Sequence, residues 1–431
     1  MSTRVSPAIR TSLTALALML STAVVCLPAV DLDWGGTIDG SGSAVFADHQ
    51  DEADTSFSLT SALWLRTLIE PGAATRIEIE LQPSYTWSDT RAYLVDLDRA
   101  RVDANWGPLF GPGTVFRSIL GRFRMSDMTA TVMSHTVDGA DLRVSLPFMR
   151  LRAAAGYTGL VLNPVSSIRM SETDAQESTD DDVFFGPRRL VAIGEATVPE
   201  VVGRQTATLA WVGQWDLRDA EEGEDTVDSQ YFGARVDGPV LPGLFYELAG
   251  YTGIAELSGG SVEGTDTGIL ALARLRYFRS EWNATRIALT AAGVSGADFS
   301  EDSFYTISEQ QAASVASLPL DNVAYGELSY GLRPFAGADL RVYRDLQTTL
   351  AVRSLLRVST DQALDSFAAD VSGDGRYIGT EATLALGWRV LSDLGTSLTL
   401  GTFLPGTGSS GAFTDERTPE YLVRMQVSAS F

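Results

Sequence analysis

Residues Tyr421–Phe431 read YLVRMQVSASF. Tyr421, Val423, Met425, Val427, Ala429 and Phe431 alternate with Leu422, Arg424, Gln426, Ser428 and Ser430. A period of two puts the first set on one face of a β-strand and most of the polar set on the other. The chain closes on an aromatic residue at the tip of the apolar face. Soluble sheets alternate as well, so the pattern by itself predicts a strand and leaves open what its apolar face touches.

The alternation recurs along the chain. Ile77, Ile79, Leu81, Tyr85 and Trp87 oppose Arg76, Glu78, Glu80, Gln82, Ser84 and Thr86. Ala207, Leu209, Trp211 and Trp215 oppose Thr206, Thr208, Gln214 and Asp216, and Ile378, Ala382, Leu384, Leu386, Trp388 and Val390 oppose Glu381, Thr383, Gly387 and Arg389. Trp87, Trp215, Trp388, Tyr277 and Tyr421 stand near segment ends on the apolar side, as an interfacial girdle requires. Strands are predicted at 33–46, 56–68, 74–88, 90–106, 116–125, 137–146, 150–163, 186–198, 203–217, 229–240, 244–257, 267–278, 285–296, 322–343, 347–358, 376–390, 396–406 and 419–431. That is about 18, an even number that keeps both termini on one side, with 16 the neighbouring alternative. Parity slips near Asp98 and Arg99, as at a bulge.

The connections fall into two alternating kinds. Short ones hold compact turns: Glu70-Pro71-Gly72, Leu146-Pro147, Val198-Pro199, Leu241-Pro242-Gly243 and Ser392-Asp393-Leu394-Gly395. Longer polar ones cover 47–55, 164–185, 218–228, 258–266, 297–321, 359–375 and 407–418. Short inner turns and long outer loops are the asymmetry of membrane barrels, so 164–185 and 297–321 are expected outside. The fold predicted is all-β: a single transmembrane antiparallel up-and-down barrel.

Both chain ends carry resemblances. Tyr421–Phe431 resembles the C-terminal signal of bacterial outer-membrane barrels, which implies recognition by the barrel-assembly machinery through Tyr421, Val423, Met425, Val427, Ala429 and Phe431. Residues 1–29 read as an export signal: Arg4 and Arg10 precede the apolar run Leu13–Leu27, too short to span a bilayer, and Leu27-Pro28-Ala29 offers a cleavage site. The barrel would then be 30–431. Cys26, the only cysteine, falls in the signal, so the mature chain has no thiol chemistry. Val25 is large for a lipoprotein site.

Net charge is −23, with no lysine among the 32 basic residues. A nucleic-acid partner is therefore unexpected, because phosphate contacts need a basic surface. The acids cluster in predicted loops: Asp48–Asp54, Glu172–Asp182, Asp216–Asp228 and Asp298–Asp302.

A barrel this wide holds a water-filled lumen, so inward residues matter most. Parity places Arg122, Arg124, Arg143, Arg150 and Arg152 inside, next to Glu78, Glu80, Asp96, Asp98 and Asp103, as two opposed charged walls lining a pore. Gly121-Arg122-Phe123, Ser126-Asp127 and Val137-Asp138-Gly139 together resemble the G-R … D-G strand pair of large substrate porins, including alginate-export-type barrels. That resemblance implies a strand, an outer loop and a returning strand beside a constriction. Asp370, Ser372, Asp374, Gly375 and Glu381 match a calcium-loop spacing. No helix flanks it, and the alternating run from Tyr377 puts Glu381 in a strand, so a solvated Asp-Gly turn is the reading preferred over calcium.

A barrel hydrolase needs a histidine. His49 lies beside Asp48 and Asp51, and His135 follows Ser134, although successive strand residues point to opposite faces. A vitamin or siderophore transporter would need a plug domain before the barrel, and with strands predicted from residue 33 that class is not expected; no recognisable fatty-acid-transporter hatch motif is read either. The function expected is passive diffusion of small hydrophilic solutes across an outer membrane, with membrane lipid as the other partner and no cofactor required. A closed barrel whose acidic loops bind ions or a partner is the alternative, and a hydrolase is the third.

Overall fold

The computed structural model describes residues 30–47, 53–72, 75–89, 94–109, 111–180, 182–218, 225–259, 264–296, 304–320, 322–336, 343–360, 375–413 and 417–431. The proposed signal at 1–29, His49, and Asp370, Ser372 and Asp374 of the calcium pattern lie outside them. Eighteen strands form one sheet that closes on itself. In chain order they begin with β1 (Val30–Ala47), β2 (Asp54–Gly72), β3 (Thr75–Ser88), β4 (Leu94–Asn105), β5 (Val115–Ser126), β6 (Ser134–Ser145) and β7 (Arg150–Tyr157). Next come β8 (Arg189–Val202), β9 (Gln205–Asp216), β10 (Thr226–Leu241), β11 (Leu244–Ser258), β12 (Gly264–Arg279) and β13 (Thr285–Gly296). A loop hairpin, β14 (Gln311–Ala313) and β15 (Leu318–Pro319), precedes β16 (Val323–Leu332), β17 (Gln347–Arg357), β18 (Tyr377–Arg389), β19 (Leu394–Pro405) and β20 (Glu420–Ser430). A helix, α1 (Glu172–Thr179), lies in the β7–β8 connection. Among the described residues no helix is long and apolar enough to cross a membrane.

Every barrel strand pairs antiparallel with its neighbours, and β1 pairs with β20 from Thr37↔Ser430 to Ala47↔Glu420, which closes the ring. No edge remains to be satisfied by water, the condition for a sheet in lipid. All eighteen predicted strands are present, with some ends displaced. The strand predicted at 322–343 stops at Leu332. The one predicted at 150–163 stops at Tyr157, where the chain turns into the lumen. The turn expected at Val198-Pro199 lies instead at Gly203-Arg204, and β8 runs to Val202. Pro199 sits in a register break between Val198 and Val202, where its missing N–H costs no ladder bond. The slip near Asp98 is a bulge: Gln82 faces Arg99 and Pro83 faces Leu97, leaving Asp98 extra.

The outward face is apolar. Leu59, Trp87, Leu120, Leu142, Leu209, Met425 and Tyr421 are exposed there. Phe431 donates to and accepts from the backbone of Gly36, both at 3.0 Å. Its ring lies where a Cβ on Gly36 would come within 2.5 Å, so a larger residue there would displace the ring. Deleting Phe431 removes both bonds and the ring at the β1–β20 closure. The expected result is a reduced folded, heat-modifiable fraction in outer membranes, read by gel mobility before and after boiling; an unchanged fraction would oppose the assembly-signal reading.

Candidate functional site in the lumen

Three connections fold into the barrel from the end opposite the termini, through residues 127–133, 158–180 with 182–188, and 304–320. Tyr251 of β11 donates to Asp127 at 3.0 Å, and Arg235 of β10 donates to the Met128 carbonyl. Ile307 N–H donates to Val132 at 2.8 Å and Glu309 N–H to Ser167 at 2.7 Å, joining the three segments. Their side chains Val132, Met133, Ile168, Phe304, Ile307 and Leu318 are buried against Phe123, Met125, Val137 and Tyr231 of the wall. Phe304 packs so close to Gly268 that a Cβ there would meet it at 2.6 Å. The outer part of the lumen is thus an apolar plug against β5–β12.

Segment 304–320 continues across to β17 and β18. Glu381 accepts from Ser314 N–H at 2.8 Å, Val315 N–H at 2.7 Å and Ser314 Oγ at 3.1 Å. Arg353 donates to the Ala312 carbonyl and pairs with Glu327. At the opposite side, the side chains of Arg189, Asp174 and Asp216 are fully buried. Arg189 holds Asp174 at 2.6 Å and Asp216 at 3.1 Å, and Arg218 binds the same two carboxylates. This cluster fixes α1 to the rim of β8 and β9.

Below the plug the inner wall is charged. Glu80 gathers Arg66, Arg99 and Arg101; Asp103 binds Arg117; Asp141 binds Arg143 and Arg152, and Arg152 also binds Glu195. The acids sit behind the arginines. Glu80 is 3% exposed under Arg99 at 49%, and Asp141 is 1% exposed under Arg143 at 43%. Six arginines meet four acids in these pairs, and water in the lumen meets guanidinium. Farther round, β19, β20, β1, β2 and β3 present hydroxyls: Ser43 to Ser56 at 2.7 Å, Ser41 to Ser58 at 2.7 Å and Thr60 to Thr86 at 3.0 Å.

Glu78, Glu80, Asp103, Arg143, Arg150 and Arg152 lie on the inward face. Asp96 and Asp98 share it, and Asp98 accepts from Ser84 at 2.7 Å. Arg124 does not, whereas Arg122 reaches from the alternate row to Asp96 at 3.4 Å. They pair across to Asp138 and Thr136, on the face opposite buried Phe123, Met125 and Val137. The inference of polar-in parity fails here because the plug makes the upper lumen apolar. The β4–β5 ladder ends at Ala100↔Arg122. Arg122 spans the seam above it, donating to Asp138 at 2.8 Å and to the carbonyls of Leu97 at 3.2 Å and Leu160 at 2.8 Å. Within the porin-like motif, Gly121 faces Gly139 and Arg122 faces Asp138. Gly121 has φ 109°, and a Cβ there would lie 2.2 Å from the Ala100 carbonyl.

Of the calcium pattern, Glu381 is described, and its carboxylate is engaged by the backbone of 314–315. Among the described residues no cluster of three or more potential ligands is suited to a metal. His135 Nδ1 lies 3.2 Å from Ser167 Oγ, while Ser134 bonds Arg124 and Ser126, so the adjacent Ser134 and His135 do not meet. Sequence parity missed Arg66, Arg101, Arg117, Glu195, Arg353 and the rim cluster. Arg101 shares the parity of Asp103 and was legible. Arg189 begins its strand at a loop boundary and was not.

No family model matches the sequence, and no curated protein matches it. Solved structures match the fold. Pseudomonas aeruginosa OccK2 (OpdF), solved in complex with glucuronate, superposes with TM-score 0.57 at 15% identity, covering 93% of this chain and 98% of that one. The P. aeruginosa outer membrane protein OpdK gives 0.56 at 12%, covering 93% and 99%. Acinetobacter baumannii OccAB3 gives 0.53 at 10%, covering 93% and 100%. The chain shares their barrel architecture over nearly its whole length.

Proposed function

We propose that this protein is an outer-membrane channel through which small hydrophilic solutes diffuse passively, with anions favoured. The reading rests above all on the arginines that face the lumen over buried acids. A carboxylate held behind a guanidinium contributes less to the potential in the water than the guanidinium in front of it, so the local anion concentration rises. The barrel architecture shared with outer-membrane proteins supports the location. The plug narrows the outer part, and the hydroxyl-lined strands β1–β3 offer a path beside it.

The test is single-channel recording in planar bilayers. The double variant Arg117→Gln/Arg143→Gln removes two exposed lumen cations and should move the reversal potential toward cation selectivity, most at low salt, where screening is weak. Arg124→Gln, on the other face, should leave it unmoved. A conducting double variant with the parent's reversal potential would overturn the charged-wall mechanism. A parent with no steady current would favour a closed surface barrel.

A further inference from the structure

Beside the charged wall lies a bay of about 460 Å³, within the ~300–1,000 Å³ range of small-molecule sites. It is lined by Ser41, Ser58, Thr60, Ser397, Gln426 and Ser428, which come from β1, β2, β19 and β20. The strands pair in a register that brings them level: Ser41 faces both Ser58 and Gln426, and Gln426 faces Ser397. The bay's polar lining is almost entirely hydroxyl and amide. Asp39 is the one ionisable side chain among the described residues that line it.

Each hydroxyl can donate one hydrogen bond and accept two. The mutual bonds Ser41–Ser58 and Ser397–Gln426 use only part of that capacity, and the Gln426 amide nitrogen keeps two donors. A surface that donates and accepts everywhere at short spacing matches a ligand that does the same. That is a polyhydroxylated molecule. Asp39 sets its charge, because a carboxylate in the bay repels a second carboxylate and accepts readily from hydroxyls. The neighbouring arginine wall and this bay therefore serve different solutes.

We infer that the bay is a recognition site for neutral polyols and sugars within the lumen. The inference rests on the channel reading for its access route, and its test is separable from that reading. Glucose or sorbitol, added to a conducting parent channel, should reduce the ion current in a saturable way, and acetate should not. Ser41→Ala/Ser58→Ala removes two hydroxyls, worth about one net bond each, and should weaken the block roughly tenfold. Ser41→Thr/Ser58→Thr keeps the hydroxyls and should retain the block within about threefold, as a loss of well under one bond. Steady conductance in each variant reports that the barrel is folded. Asp39→Asn should extend the block to gluconate while leaving that by glucose in place. Saturable block that is equal in the parent and the alanine pair would place the sugar elsewhere and overturn the inference. So would a conducting parent insensitive to both sugars. Either result leaves the anion preference set by Arg117 and Arg143 standing.

Discussion

Replacing Arg189 by Met is expected to destabilise the folded barrel by about 3–5 kcal/mol, the cost of removing one partner from a buried ion pair. Asp174 and Asp216 are without solvent exposure, and Arg218 alone would be left to neutralise both. Asp174 also accepts from Met170 N–H at 2.8 Å and caps α1 with Ser171. Its uncompensated charge therefore loosens the whole 158–188 segment, including Ile168 and Met170 in the plug. The measurement is the denaturant midpoint of refolded protein, followed by gel mobility. Removing the charges together, as Asp174→Leu/Arg189→Met/Asp216→Leu/Arg218→Met, should recover most of the loss, because an apolar set of similar volume avoids the desolvation cost. A midpoint unchanged by Arg189→Met would show that the cluster does not hold the segment.

The second large effect is on conduction. Glu381 is 4% exposed and accepts three hydrogen bonds from residues 314–315, the far anchorage of the strap 304–320 across the lumen. Hydrogen bonds to a charged group contribute about 1.5–3 kcal/mol each. Glu381→Ala should therefore shift the strap's opening equilibrium by roughly a hundredfold or more, since each 1.4 kcal/mol is a factor of ten. Single-channel records should show a larger, long-lived conductance level that is rare in the parent. Glu381→Gln keeps an acceptor oxygen and should fall between. Records of Glu381→Ala indistinguishable from the parent would mean that the strap does not limit the path.

The order of strands was legible because each strand carries its own evidence. Two faces alternate residue by residue, and a lipid-facing row such as Val423, Met425 and Val427 cannot be traded with a lumen row such as Arg424 and Gln426 without inverting the strand. Even the bulge at Asp98 left its mark, since Pro83 opposite supplies no ladder donor. These are local constraints, and a local pattern reports them.

The lumen's contents were not legible in the same way. Val132, Met133, Phe304 and Ile307 lie in connections with no period, and nothing near them in sequence says that they turn inward rather than out. Their burial is set by partners more than a hundred residues away, as Ser134 N–H is held by Ser308 Oγ at 2.8 Å. Once that plug is present, the upper lumen is apolar, and a rule that assigns apolar residues to lipid no longer fixes which way Arg122 and Arg124 point. Glu381 likewise fits an ion-loop spacing in sequence, yet the fold commits it to the backbone of residues 314–315. The sequence by itself determined a closed barrel of about 18 strands, because strand periodicity, turn chemistry and the girdle aromatics are written within each segment. Only the tertiary structure decided which arginines face water, which acids are hidden behind them and what fills the lumen, because those depend on contacts between segments that no single period encodes.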